Sequence, residues 1–189
     1  MQITEQQDKA ANEIVELIAN ELGKNSAIHP GTAIASCARL SGSFMFRSFN
    51  FPQKDITPGT AVLSEQANEK GLILFNFLQW LLKISGTDID KHKLSQFPKA
   101  ESDLNVMDTL NLLQNKAMVI MNQYKFSFEE MAFVCAMSTA FIINECKKQL
   151  AVESGFNTAV FGFIEGSKTF PPPFSNESGK TKNIFKFWK

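Results

Sequence analysis

Apolar residues recur every three to four positions along most of the chain, a spacing that is typical of amphipathic α-helices. Alternation of apolar and polar residues, which would indicate a strand, occurs only in the very short stretch 184–189. The pattern therefore predicts an all-α fold of about six helices. The predicted helices cover residues 4–23, 30–49, 57–84 and 103–124, followed by one that begins at residue 127 and a short one over 157–165.

Local sequence signals mark where several of these helices begin. Thr4 with Gln7, and Ser127 with Glu130, have the spacing of a capping box, in which two side chains satisfy free N–H groups of the first turn. Pro30 suits the first turn of helix 2, where its missing N–H costs nothing. These signals place three helix starts without reference to any tertiary contact.

The segment that begins Pro30-Gly-Thr-Ala has a close copy that begins Pro58-Gly-Thr-Ala. Thr57 precedes the second copy as a candidate helix cap, and Pro58 suits a first helical position. The similarity ends a few residues later. We therefore interpret the copies as two helix starts that use the same chemistry, rather than as a duplicated structural unit.

The composition of each predicted helix indicates how deeply it is buried. Helix 2 carries small or apolar residues around most of its circumference, and the fifth helix is apolar on nearly every side from 131 to 143. Helices 1 and 4 carry a single apolar stripe. We predict a compact single-domain bundle over residues 1–170, with helices 2, 3 and 5 at its centre. Residues 171–189 are predicted to form a Pro-rich segment and then a basic, aromatic tail.

Charge and cysteine content exclude several classes of protein. The chain has 19 Lys and Arg against 19 Asp and Glu, so it lacks the positive excess of a general nucleic-acid binder. Cys37, Cys135 and Cys146 are widely spaced in apolar stretches, which favours free thiols over a zinc site. The acidic loop 88–92 is a weak candidate for a metal site. We expect neither a metal nor a cofactor.

The sequence also bears on location. A signal peptide begins with basic residues and continues with an apolar stretch, whereas residues 1–13 are polar, so no signal peptide is predicted. The longest apolar runs fall short of the ~20 residues that cross a bilayer. We expect a cytoplasmic protein without a membrane span.

Two arginines are the strongest candidates for a functional site. Of the 19 basic residues only Arg39 and Arg47 are Arg, and both lie on one stripe of helix 2 with Ser36 and Ser43. An arginine offers a planar fork to carboxylates and phosphates that a lysine cannot imitate. Either the arginines form internal ion pairs, or they face a pocket or interface that receives an anion. The candidate internal partners are Glu65, Glu69, Glu145 and Glu165.

Phenylalanine is unusually frequent, with 18 residues against two Trp and one Tyr. This points to a large dry core, or to an apolar groove. The tail alternates Lys with aromatic residues and is expected to dock on its own chain or on a second subunit.

The leading functional hypothesis is a non-enzymatic helical binding or interaction protein that associates with a protein partner or with itself. The alternative is a small-ligand receptor or an enzyme with a helix-lined pocket, in which Arg39 and Arg47 hold an anionic group. No residue is assigned a catalytic role.

Overall fold

The computed structural model describes residues 3–23, 27–49, 51, 55–90 and 92–175. Within these ranges the chain forms six α-helices and one short 3₁₀ helix, which confirms the predicted all-α fold. Outside the helices, Ala61 and Thr169 form an isolated antiparallel β-bridge. The helices are α1 (Glu5–Leu22), α2 (Pro30–Arg47), α3 (Glu65–Ile84), α4 (Val106–Tyr124), α5 (Phe128–Cys146) and α6 (Val152–Lys168).

Both predicted capping boxes are present. The Thr4 hydroxyl accepts a hydrogen bond from the backbone N–H of Gln7, and Ser127 does the same for Glu130, each at 3.2 Å. These bonds satisfy N–H groups that have no partner inside the helix. The starts of α1 and α5 therefore follow from local chemistry.

The centre of the bundle consists of α2, α5 and α6, so the prediction that helix 3 is central was wrong. Every residue of α2 from Gly31 to Phe46 is buried. By contrast, α3 leaves Leu72 and Ile84 each 59% exposed, although its sequence is at least as apolar as that of α2. The central helix in its place is α6, which spans Val152–Lys168 rather than the short segment predicted over 157–165.

Glycines explain why α6 reaches the centre. A Cβ atom on Gly166 would lie 2.2 Å from the carbonyl oxygen of Arg39, and one on Gly42 would lie 2.4 Å from that of Phe163. A Cβ on Gly162 would lie 2.7 Å from the Ala38 side chain. Such distances are closer than packed atoms allow, so α2 and α6 meet backbone to backbone only because these positions carry no side chain.

The predicted start of helix 3 was also wrong. Thr57 and Pro58 belong to a tight turn, closed by a hydrogen bond from the Thr60 N–H to the Thr57 carbonyl at 3.1 Å. Gly59 has a φ of 91°, which together with Pro58 is typical of a type II turn. The helix begins later, at Glu65, where the side chain of Ser64 caps it.

After this turn the chain runs beside the end of α6. The Gly59 N–H donates to the Phe170 carbonyl and the Phe170 N–H donates to the Thr60 carbonyl, both at 2.8 Å. The Val62 N–H donates to the Lys168 carbonyl at 2.7 Å. These bonds hold the loop before α3 against the segment after α6, and so bring two non-helical parts of the chain together.

None of the helices described is by itself long and apolar enough to cross a membrane; α4 and α5 meet that test only jointly, as a pair bent by 113°.

Candidate functional site

The two arginines of α2 have different surroundings. Arg39 is 6% exposed, and its Nε donates to Glu165 Oε2 on α6 at 2.8 Å. Its Nη1 donates to the Leu104 carbonyl oxygen at 2.6 Å and to Ser102 Oγ at 3.1 Å. Arg39 therefore joins α2, α6 and the loop before α4, and its charge is balanced within the chain.

Glu165 is the one predicted partner that the structure brings to an arginine. Glu65 and Glu69 lie on the exposed side of α3, and Glu145 is exposed near the end of α5. Among the residues described, none of these three forms an ion pair with Arg39 or Arg47. The three carboxylates point to solvent, whereas both arginines are at least partly buried.

Ser36 and Ser43 are buried rather than open to a surface. Ser36 is fully buried, and its Oγ has no hydrogen-bond partner in the described part of the chain. Ser43 is 2% exposed, and its backbone nitrogen lies beside Gly166 at the contact with α6. The polar stripe predicted on helix 2 therefore divides: Arg39 and the two serines are interior, and Arg47 alone reaches the end of the helix.

Arg47 ends α2 and is held by three contacts. Its Nη2 donates to Gln114 Oε1 at 2.9 Å and to the Pro172 carbonyl oxygen at 2.6 Å. Its Cζ lies 4.0 Å from the centroid of the Phe174 ring, a cation–π distance. No carboxylate among the described residues lies within ion-pair distance of it. Among the described residues, the guanidinium therefore interacts with two carbonyl oxygens and a ring face, but with no counter-charge.

A cleft opens beside this guanidinium, with a volume of about 810 Å³. Its walls come from the end of α2, the start of α5, the loop before α3 and the segment after α6. The lining residues are Phe46, Arg47, Phe51, Ile56, Pro58, Phe128, Phe170, Pro171, Pro173 and Phe174. Apart from Arg47, all of these side chains are apolar.

Aromatic contacts fix the shape of the cleft. The Phe46 ring stacks on Phe51 with centroids 5.5 Å apart and meets Phe170 edge to face at 5.9 Å. In a second ring pair, Phe128 stacks on Phe174 with centroids 6.2 Å apart. Such ring pairs contribute about 0.5–1.5 kcal/mol each beyond the burial of their area. The rings of these pairs form much of the apolar lining of the cleft.

The electrostatic state of Arg47 reflects its position. Burial without a balancing carboxylate lowers the pKa of Arg47 to about 10. The side chain is therefore still charged at neutral pH, but it has lost part of its hydration. A partly desolvated cation in an apolar wall is a favourable site for an anion.

The cysteines and the acidic loop 88–92 form no site among the described residues, and the predicted basic, aromatic tail from residue 176 onward lies outside those residues. Cys37 and Cys135 are buried free thiols, and burial raises the pKa of Cys37 to about 12 and that of Cys135 well above its usual range. Within the part of the chain that the structure describes, no group of three or more His, Cys, Asp or Glu side chains is placed to hold a metal ion.

Sequence reasoning missed most of the cleft, because its members are far apart in the chain. Gln114, Pro172 and Phe174 gave no motif that joins them to Arg47. The signals that were present are the high phenylalanine content and the run of three prolines, but neither shows which surfaces meet.

Comparison of the chain with models of protein families, with curated proteins and with solved structures found no match.

Proposed function

We propose that this protein is a non-enzymatic binding protein, and that its binding site is the aromatic cleft beside Arg47. The observation that carries the proposal is the guanidinium itself: it lacks a carboxylate partner among the described residues and lies in the wall of an apolar cleft. Arg39, by contrast, has its charge balanced by Glu165 and takes no part in the proposed site.

The cleft has the size and composition of a small-ligand site. Its volume of about 810 Å³ lies within the range of about 300–1,000 Å³ that is usual for such pockets. Pockets of this kind are mostly apolar, with a few polar groups that fix the orientation of the ligand. Here the aromatic and proline side chains provide the apolar surface, and Arg47 provides the polar group.

The lining groups favour binding over catalysis. Phenyl rings, pyrrolidine rings and an isoleucine side chain carry no exchangeable proton. With a pKa of about 10, the guanidinium of Arg47 also keeps its proton at neutral pH. Such groups orient a ligand and exclude water from it, whereas general acid–base chemistry needs a pKa near the working pH.

A fragment screen by ligand-observed NMR tests this proposal, with two tryptophan variants for comparison. Pro58 is an exposed residue at the rim of the cleft, so the larger side chain of Pro58→Trp is expected to block its opening. Val119→Trp places the same side chain on α4 at a position that is 61% exposed and away from the cleft. Fragments should bind the wild-type protein and Val119→Trp, but not Pro58→Trp. Equal binding by all three proteins would show that the cleft is not the site.

Self-association is a second candidate function, favoured by exposed apolar residues between α3 and α6. Leu72 is 59% and Ile164 44% exposed, and both line a groove between these helices. If a second copy of the chain covers this groove, sedimentation velocity should show a dimer that Leu72→Lys converts to a monomer. A wild-type protein that stays monomeric at high concentration would rule this candidate out.

A further inference from the structure

We infer that the ligand of the Arg47 cleft is a monoanion with an apolar body, whose carboxylate binds the guanidinium while the body lies among the phenylalanine rings. The inference rests on the proposed function and adds to it the chemical class of the ligand.

The charge of the cleft sets the charge of the ligand. Among the described residues that line it, Arg47 is the one ionisable side chain. A single positive charge balances a single negative one. A phosphate monoester carries ~1.5–2 negative charges at neutral pH, so it would bring an excess of negative charge into apolar surroundings. A neutral ligand, in turn, would leave the guanidinium without a counter-charge.

The guanidinium is already oriented before a ligand arrives. Gln114 and Pro172 hold Nη2, and Cζ lies over the Phe174 ring. Because the side chain is fixed, binding costs little further conformational entropy at this residue. Within the described part of the chain, Nη1 makes no hydrogen bond, so its N–H groups can donate to a carboxylate oxygen.

Partial desolvation of Arg47 adds to the attraction. The lowered pKa means that the folded environment disfavours the charged form. A carboxylate at hydrogen-bond distance would favour that form again, and the interaction is stronger in an apolar cleft than in water. The free protein thus carries an electrostatic cost at Arg47 that a bound monoanion removes.

The rings determine the rest of the ligand. Phe46 and Phe170 are almost fully buried, so they present fixed surfaces rather than mobile side chains. Phe51 and Phe128 are half-buried and also line the cleft. Rigid phenyl surfaces pack well against a ring or a branched aliphatic group, through offset and edge-to-face contacts. An aromatic monocarboxylate therefore matches both parts of the cleft.

A purely structural role for Arg47 is the competing explanation. Its bond to the Pro172 carbonyl ties down the segment after α6, and this alone would account for an arginine here. The two explanations differ in one measurable respect: only a ligand site should prefer a carboxylate over a neutral molecule of the same shape.

Titration calorimetry with four matched compounds distinguishes them: 3-phenylpropionate, its neutral amide, 2-phenylethyl phosphate and 2-phenylethylammonium. In wild-type protein the carboxylate should bind about tenfold more tightly than the amide, since a charge-assisted hydrogen bond is worth ~1.5 kcal/mol more than a neutral one. The phosphate should bind more weakly than the carboxylate, and the ammonium compound should not bind. In Arg47→Gln the carboxylate and the amide should bind about equally.

Each other result contradicts the inference in a recognisable way. If amide and carboxylate bind wild type equally, or if the carboxylate preference survives in Arg47→Gln, the assigned class is wrong. If none of the four compounds binds, the class is wrong as well. Whether the cleft binds ligands at all is read separately from the loss of fragment binding in Pro58→Trp, so the proposed function stands or fails independently of ligand charge.

Discussion

Arg39 on α2 and Glu165 on α6 form an ion pair whose two members differ in exposure: the Arg39 side chain is 7% exposed and that of Glu165 is 37% exposed, with Nε and Oε2 2.8 Å apart. The pair joins residues 126 positions apart in the sequence. Because water reaches the carboxylate but hardly the guanidinium, removal of Glu165 and removal of Arg39 should lower the free energy of unfolding by different amounts.

Removal of Glu165 should therefore destabilise the protein more than removal of Arg39. Glu165→Gln keeps an acceptor but leaves a buried positive charge without its counter-charge, and we expect a loss of about 2–3 kcal/mol. Arg39→Met leaves a carboxylate that water can solvate, and we expect about 1–2 kcal/mol. Urea denaturation measures both free energies of unfolding. A larger loss in Arg39→Met would contradict this account of the pair.

Arg47→Met should change stability by less than about 1 kcal/mol, because no carboxylate is left without its partner. The amide of Gln114 still donates to the Pro172 carbonyl, and a methionine side chain packs readily against phenyl rings. The same denaturation experiment measures this. A loss of about 3 kcal/mol, as for a buried ion pair, would mean that Arg47 stabilises the fold, and would count against a ligand site.

Gly166→Ala should destabilise the protein strongly, by about 3 kcal/mol, because the new methyl group would overlap the Arg39 carbonyl oxygen. Gly71→Ala is the matched control. It lies inside α3, and a Cβ there would meet nothing within 4 Å. Alanine at that position should stabilise the helix by about 0.5–1 kcal/mol. Thermal unfolding of the two variants should shift in opposite directions; shifts of the same sign would contradict the packing.

Ser36→Ala should stabilise the protein by about 0.5 kcal/mol or more, because it removes a buried hydroxyl that has no partner among the described residues. Ser41→Ala is a close comparison on the same helix. The Ser41 hydroxyl donates to the Ala132 carbonyl at 2.7 Å, and its loss should cost about 1 kcal/mol. If both variants lose stability equally, the Ser36 hydroxyl has a partner after all.

Stability should fall as the pH rises above 9, in part because of Cys37. Burial raises the pKa of this thiol from 9.0 to about 12. The unfolded thiol loses its proton above pH 9 while the folded one keeps it, so the unfolded state binds fewer protons and gains stability with pH. At pH 10 the contribution is about 1 kcal/mol. Cys37→Ala should therefore lose less stability between pH 8 and pH 10 than the wild type does. Cys146→Ala, at a half-buried thiol, should behave more like the wild type.

Much of the secondary structure could be predicted from local patterns. The capping boxes at Thr4 and Ser127 act within one turn of helix, so four residues contain the whole signal. The high apolar content of α2 and α5 likewise predicted their central position. The central position of α6 could not be predicted in this way. A glycine favours close helix packing only where another backbone lies against it, as the backbone of Arg39 does at Gly166.

The candidate site was predictable only in part. Two arginines in a Lys-rich chain indicated that geometry matters at both positions. Whether each has an internal partner depends on residues more than 60 positions away, such as Gln114 for Arg47 and Glu165 for Arg39. Sequence spacing carries no information on such contacts.

The repeated Pro-Gly-Thr-Ala segment shows most directly which features the local sequence determines and which depend on tertiary contacts. At Pro30 the four residues begin a helix, and Gly31 lies against the Glu101 carbonyl, where a Cβ would come within 2.2 Å. At Pro58 the same residues form a turn, in which Gly59 takes a positive φ. Local chemistry determined that the chain can begin a helix or a turn at both segments, because proline fixes φ and glycine permits both the helical and the positive φ value. Only the tertiary structure decided which conformation each copy adopts, because the first packs into the bundle and the second pairs with the end of α6, at the rim of the cleft.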